Sequence, residues 1–133
     1  MKSRRRIVLG TVIVLVAIII AIFGAKSYIE SGLIELTDIT ISNVDLSKIA
    51  DGVYKGSYKV IPVEAEVKVT VEDHRITGIE LVKHLNGQGA AAEVIPDRVV
   101  GAQSLEVDIV SGATYSSKVI LKAIENALQG ANR

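Results

Sequence analysis

The sequence has no cysteine and no tryptophan, and only two prolines, two histidines, one methionine and one phenylalanine in 133 residues. Without cysteine it forms no disulfide and no thiolate metal site, and its apolar N-terminus cannot carry a lipid-modified cysteine. The redox compartment is not fixed by that absence. The two histidines, His74 and His84, are isolated from acidic residues at ligand spacing, so no zinc site is expected. No serine has a histidine partner in its sequence context that would mark a nucleophile–base pair. No internal repeat is present. Charge is balanced at 15 basic and 15 acidic residues, but it is unevenly placed. The first six residues hold four of the basic ones and no acid, which leaves the rest of the chain at a net −4. A mildly acidic domain is no electrostatic match for nucleic acid, and that class is set aside.

What the chain has in abundance is an uncharged apolar run, Ile7 to Ala25. About 20 such residues at 1.5 Å rise cross a bilayer core of ~30 Å. Lys2, Arg4, Arg5 and Arg6 precede the run, and by the positive-inside rule they stay in the cytoplasm. The expected location is the cell membrane, with a single pass and an extracytoplasmic C-terminal domain. A cleaved signal peptide has a shorter apolar region, about 7–15 residues, and a small-x-small cleavage site. No Ala-x-Ala precedes Lys26, so an uncleaved anchor in the lipid bilayer is the reading adopted. No polar face interrupts the run, which sets it apart from a core helix of a soluble protein. The domain expectation is a basic tip and anchor over 1–25, a membrane-proximal connector over 26–50, and a folded domain over 51–133.

In the connector, Ile34, Leu36, Ile39 and Ile41 suggest partial strand character, and Asp45 to Ala50 suggests one helical turn. Val53 to Val60 reads as a strand with Gly56 at a bulge. Val63 to Val71 alternates apolar residues with Glu64, Glu66, Lys68 and Thr70, a strand with one buried face and one wet face. Glu72-Asp73-His74-Arg75 is a hairpin turn with a solvated His74, and Ile76 to Lys83 returns antiparallel with a bulge near Gly78. Leu85 to Ala92 is a Gly- and Ala-rich loop. A helix restarts at Pro96 and runs to about Gln103. Leu105 to Val110 is read as a further strand. The last helix starts at an N-cap Ser116 or Ser117, buries Val119, Ile120, Ala123, Ile124, Ala127 and Leu128, and ends at Gly130. Lys118 and Lys122 fall on its wet side. The fold class is α+β: a small antiparallel sheet with helices packed on one face, preceded by one N-terminal transmembrane helix.

Between the expected last strand and last helix stands Asp108-Ile109-Val110-Ser111-Gly112-Ala113-Thr114-Tyr115-Ser116-Ser117. The first turn of a helix has N–H groups without partners and a partial positive charge, so it favours a phosphate. Gly112 and Ala113 let a ligand approach the backbone. A Thr114 hydroxyl beside that anion site can contact a phosphate or be esterified by one, while Ser116 and Ser117 could help neutralise its charge. The plain alternative is a Ser/Thr capping cluster on a tight turn. Asp108 could likewise serve only to hydrogen-bond turn N–H groups. Tyr115 could stack on a flat ring, or face core or water.

Asp108-x-x-Ser111-Gly112-Ala113-Thr114 resembles the flavinylation motif of the FMN-binding domain family. Asp51-Gly52-Val53-Tyr54-Lys55-Gly56 is similar to that family's domain start, and Ala102 to Asp108 leads into the motif as it often does there. The similarity covers roughly Asp51 to Leu128. It implies an FMN cofactor joined through its phosphate to Thr114 by a flavin transferase that takes the FMN moiety from FAD and reads the motif Asp, here Asp108. It further implies membrane or extracytoplasmic redox partners and a role as electron carrier. The alternatives kept are a reversible FMN- or phosphate-binding module and a structural subunit of a membrane redox complex. Family members often place a His where His84 stands, followed by a Glu-Thr-Pro-Gly-Leu-Gly-like segment. This chain has Leu85-Asn86-Gly87-Gln88-Gly89-Ala90 instead. A role for His84 near the ring and a strand-end His without duty both stay open.

Overall fold

The computed structural model describes the backbone of residues 2–131 and the side chains of residues 4–27 and 38–131. The chain divides into two compact units, Met1–Ser31 and Gly32–Arg133. The first is the larger part of a single helix, α1 (Lys2–Thr37). Within it Arg4–Ser27 has a mean hydropathy of 3.1 and is long and apolar enough to cross a membrane. At 1.5 Å per residue that stretch measures about 36 Å. α1 continues through Ile34 and Leu36, so these two are helical rather than extended.

The second unit is built on a three-stranded antiparallel meander. β1 (Gly52–Val60), β2 (Val63–Glu72) and β3 (Arg75–Leu85) lie in the order β1-β2-β3. The alternation in β2 is realised as read: Val63, Ala65, Val67, Val69 and Val71 are buried, and the residues between them face the other side. That open face is charged, with Lys59 and Lys83 both reaching Glu64 and Lys68 reaching Glu80. Two helices cover the apolar face: α3 (Thr114–Gly130) lies across β1 and β2, and α2 (Ile95–Ala102) packs against β3. Every residue of the expected α3 stripe is buried. The α+β arrangement holds.

The packing explains Gly56. Its strand runs in unbroken register with β2, so there is no bulge. A Cβ at Gly56 would instead collide with the backbone of α3, at Ala123 O and Ala127 N, and stand 2.7 Å from Ala127 Cβ. The glycine exists to let the helix lie close on the strand. The bulges are in β3, where Thr77, beside Gly78, and Val82 have no partner in β2. In the hairpin turn Asp73 and His74 both take positive φ (50° and 59°), and His74 Nδ1 lies 3.0 Å from Ile49 O rather than being merely solvated. The turn is thereby fastened to the connector.

Two further expectations give way. Leu105 to Val110 pairs with no strand. β3 is closed off near it by Gln103, which accepts from Ile76 N (2.8 Å) and donates to Ile76 O (2.7 Å), so that edge of the sheet is already spent there. Side chains serve the segment instead, with Leu105 N donating to Asn43 and Glu106 N to Ser104. The connector contributes a single 3-10 turn, Leu46–Lys48, capped by Asp45. Ile39, Ile41, Val44 and Leu46 pack against the core, and Ile49 is part of it. Lys122 joins this work: it donates to Thr40 O (3.2 Å) and pairs with the buried Glu125 (2.9 Å), so it is not a solvated surface lysine.

Candidate functional site

The path into α3 is held from three sides. Arg98 of α2 donates to Asp108 O at 2.7 Å. Val110 N donates to Ser117 Oγ at 3.0 Å. Ala113 N donates to Val110 O at 3.0 Å, closing a turn whose third residue is Gly112 with φ +79°. A residue with a Cβ rarely adopts that conformation, which is why glycine follows Ser111. Ser111 and Gly112 are exposed, and the chain enters the helix at Thr114.

The N-cap of α3 is Ala113, not Ser116 or Ser117. Ala113 has no side-chain acceptor, and no acidic residue stands in the first turn. The positive end of a 17-residue helix is therefore met by no capping group. Ser116 and Ser117 lie inside that first turn and point inward, 2% and 0% exposed. Ser117 is spent on Val110 N, so it does not line an anion site. Ser116 lies against Gly89, where an added Cβ would collide with its Oγ. Ser117 fastens the incoming loop to the helix, and Ser116 packs against the Gly89 loop. The capping explanation of the hydroxyl cluster fails for the same reason: the hydroxyls do not cap.

Thr114 is different. It is half-buried, and among the described residues its hydroxyl makes no hydrogen bond. It stands on the wall of a cleft of about 270 Å³ formed by Pro62 and Val63, by the Asn86–Gly89 loop, and by Gly112 to Ser116. A second, more open cleft of about 380 Å³ shares Gly112, Thr114 and Tyr115 and adds Lys118. Tyr115 is 41% exposed beside both. The walls are mainly small residues and backbone, suited to a flat ligand with a phosphate at the helix end. Asp108 is exposed; only its carbonyl is engaged, and among the described residues its carboxylate shapes no turn.

His84 lies within β3, opposite Ala65, and lines neither cleft. Its side chain is 3% exposed and its Nδ1 is 3.0 Å from Glu93 Oε1. Pro62 and Val63 were not signalled by the sequence as site residues, because only the hairpin register carries them to the foot of α3. Among the described residues no cluster of metal-ligating side chains is present.

Residues 62–129, about half of the chain, match the family described as the FMN-binding domain. The chain belongs to that family. Its cofactor is FMN. An uncharacterized protein of Treponema pallidum (strain Nichols) is 35% identical over 86 residues, 62% of this chain and 24% of that protein. The NADH:acrylate oxidoreductase of Vibrio harveyi is 35% identical over 65 residues, 47% of this chain and 6% of that protein. The chain thus spans a quarter or less of the length of these relatives.

Proposed function

We propose that the protein is a membrane-anchored electron carrier whose FMN is joined through its phosphate to the Thr114 hydroxyl. The observation that carries this reading is the state of Thr114. It is the first residue of a helix without a capping side chain, its hydroxyl has no partner among the described residues, and it borders both clefts. The first-turn N–H groups offset phosphate charge at that point. In the attachment step the Thr114 oxygen forms a new bond to the FMN phosphorus of FAD. The pyrophosphate bond breaks, AMP leaves, and the hydroxyl proton passes to solvent or to the flavin transferase. The unengaged Asp108 carboxylate is available to that enzyme. Bound FMN supplies one- and two-electron redox chemistry; the chain supplies placement. Similarity to a segment of an NADH:acrylate oxidoreductase supports a redox setting.

The anchor is α1, with Lys2, Arg4, Arg5 and Arg6 on the cytoplasmic side and the FMN-binding domain on the far side. A phosphoester suits that location, because a cofactor that cannot dissociate is not lost. Redox partners are then membrane or extracytoplasmic proteins. Mass spectrometry of protein made together with a flavin transferase tests the reading. An FMN adduct on Thr114, absent from Thr114→Ala, is the expected result; an unmodified, colourless wild type refutes it. The uncapped helix end also suits reversible phosphate binding, and denaturing gel fluorescence separates the two. Flavin that travels with the denatured band is ester-linked.

A further inference from the structure

The surroundings of His84 contain an unresolved polarity. Its Nδ1 lies 3.0 Å from Glu93 Oε1 and 3.4 Å from the side-chain amide nitrogen of Asn86. Its Nε2 is buried and has no hydrogen-bond partner among the described residues. An ionised carboxylate only accepts, so the short contact to Glu93 puts a proton on Nδ1. The opposite tautomer would set the Nδ1 lone pair against the carboxylate and bury an unmatched N–H at Nε2. An imidazolium would also keep Nδ1 as donor. In either case a donor faces the Asn86 amide. The oxygen and nitrogen of such an amide are assigned by their network. A donor at Nδ1 calls for the oxygen on the His84 side, with the NH2 turned away from it. Asn86 is one of the residues lining the cleft beside Thr114.

We infer that Glu93 and His84 are positioning residues that fix the Asn86 amide with its NH2 toward the cleft, where it recognises a carbonyl oxygen of a flat heterocyclic ring. This rests on the flavin reading of the cleft, since the pyrimidine part of the isoalloxazine ring carries two such oxygens. It also gives a reason for a strand-end histidine that touches neither cleft. Glu93, nine residues away, keeps it in one tautomer, and Asn86 transmits the choice.

Long-range proton–nitrogen correlation spectra of the full chain in detergent micelles, as the unlinked Thr114→Ala variant, read the tautomer directly. The expected result at neutral pH is a proton on Nδ1 of His84. A wild-type Nε2–H tautomer overturns the inference. Added FMN should then shift the Asn86 side-chain amide signals, and Asn86→Asp should weaken its binding about tenfold or more. Shifts at the Gly87 and Gln88 backbone with none at the Asn86 side chain overturn the recognition step. If no cleft signal responds, the flavin reading fails and takes that step with it, whereas the tautomer result is measured without ligand.

Discussion

Gly56→Ala tests whether the site depends on the contact between α3 and β1. The added Cβ would stand 2.7 Å from Ala127 Cβ and closer still to two backbone atoms of α3. Carbon atoms pack best at about 3.5–4.0 Å, so the helix must retreat by roughly 0.8 Å or more. No rotamer change relieves the clash, because the nearest atoms are backbone. Overpacking a core costs about 1–3 kcal/mol, and a clash with an unyielding backbone belongs at the top of that range. A gap of that width also forfeits about a quarter to a half of the dispersion attraction at each contact it opens, and Ile120, Ala123 and Ile124 lie along the same face. For a domain of about 100 residues, 3 kcal/mol lowers Tm by roughly 12–24 °C. Urea or thermal unfolding followed by tyrosine emission is the assay, since the chain has no tryptophan and Tyr54 and Tyr58 flank the glycine in β1. Gly101→Ala is the control. Gly101 is exposed in α2 with nothing within 4 Å of an added Cβ, so the change should be neutral or stabilising by about 0.4–1 kcal/mol. A Gly56→Ala loss under about 0.5 kcal/mol, or equal effects at the two positions, would refute the packing argument.

Other outcomes follow from the same geometry. Ser117→Ala removes the acceptor for Val110 N and should cost about 1–3 kcal/mol. Hydrogen exchange at the Val110 amide should accelerate before global unfolding does, and an unchanged rate would mean that the serine does not hold the loop. The hydrogen bond from Lys83 holds the Glu64 carboxyl below the usual glutamate range, with the charge of Lys59 adding to it and partial burial opposing. A depressed folded-state value means that this contribution to stability is present above the unfolded value, about pH 4.3. It fades as pH falls through the lower, folded one. Carbon NMR of the Glu64 carboxyl should show its titration moving up in Lys83→Ala, and further in the variant that also lacks Lys59; an unmoved titration would refute the assignment.

The parts of this molecule that could be read from the sequence are those with a repeating pattern. β2 alternates with period two because one face meets helices and the other meets water, and that requirement is written into every second residue. α1 is legible from nineteen uncharged residues, and α3 from its buried stripe. The misreadings lie where a residue answers to something distant. Leu105 to Val110 has the composition of a strand, yet the N–H groups of Leu105, Glu106 and Val110 are taken by the side chains of Asn43, Ser104 and Ser117. Gly56 carries the local signature of a bulge, and its cause is a helix some 70 positions later. Glu125 is buried opposite the stripe because Lys122 and Gln129 pair with it there, a cover that no periodicity announces. At the site, Thr114 was identifiable from its neighbours in the chain. The Glu93 contact of His84 needed the path of β3 and the turn that follows it.

The distribution of polar groups around the motif separates scaffold from chemistry. Serine, threonine and aspartate at the start of a helix normally satisfy backbone N–H groups. Here the two serines that look like caps are buried, Ser117 holding Val110 N and Ser116 packed against Gly89, while the true cap position holds an alanine. Ser, Asp or Asn at position 113 would supply a cap worth about 1 kcal/mol, but Ala113 is 4% exposed and belongs to the core, where a polar side chain is costly. The chain forgoes that gain and leaves the helix end bare beside an unengaged hydroxyl and a small-walled cleft. Core packing of Ala113 accounts for the missing cap, and it leaves the first-turn N–H groups and the Thr114 hydroxyl open at the place where the proposed phosphate linkage would meet both.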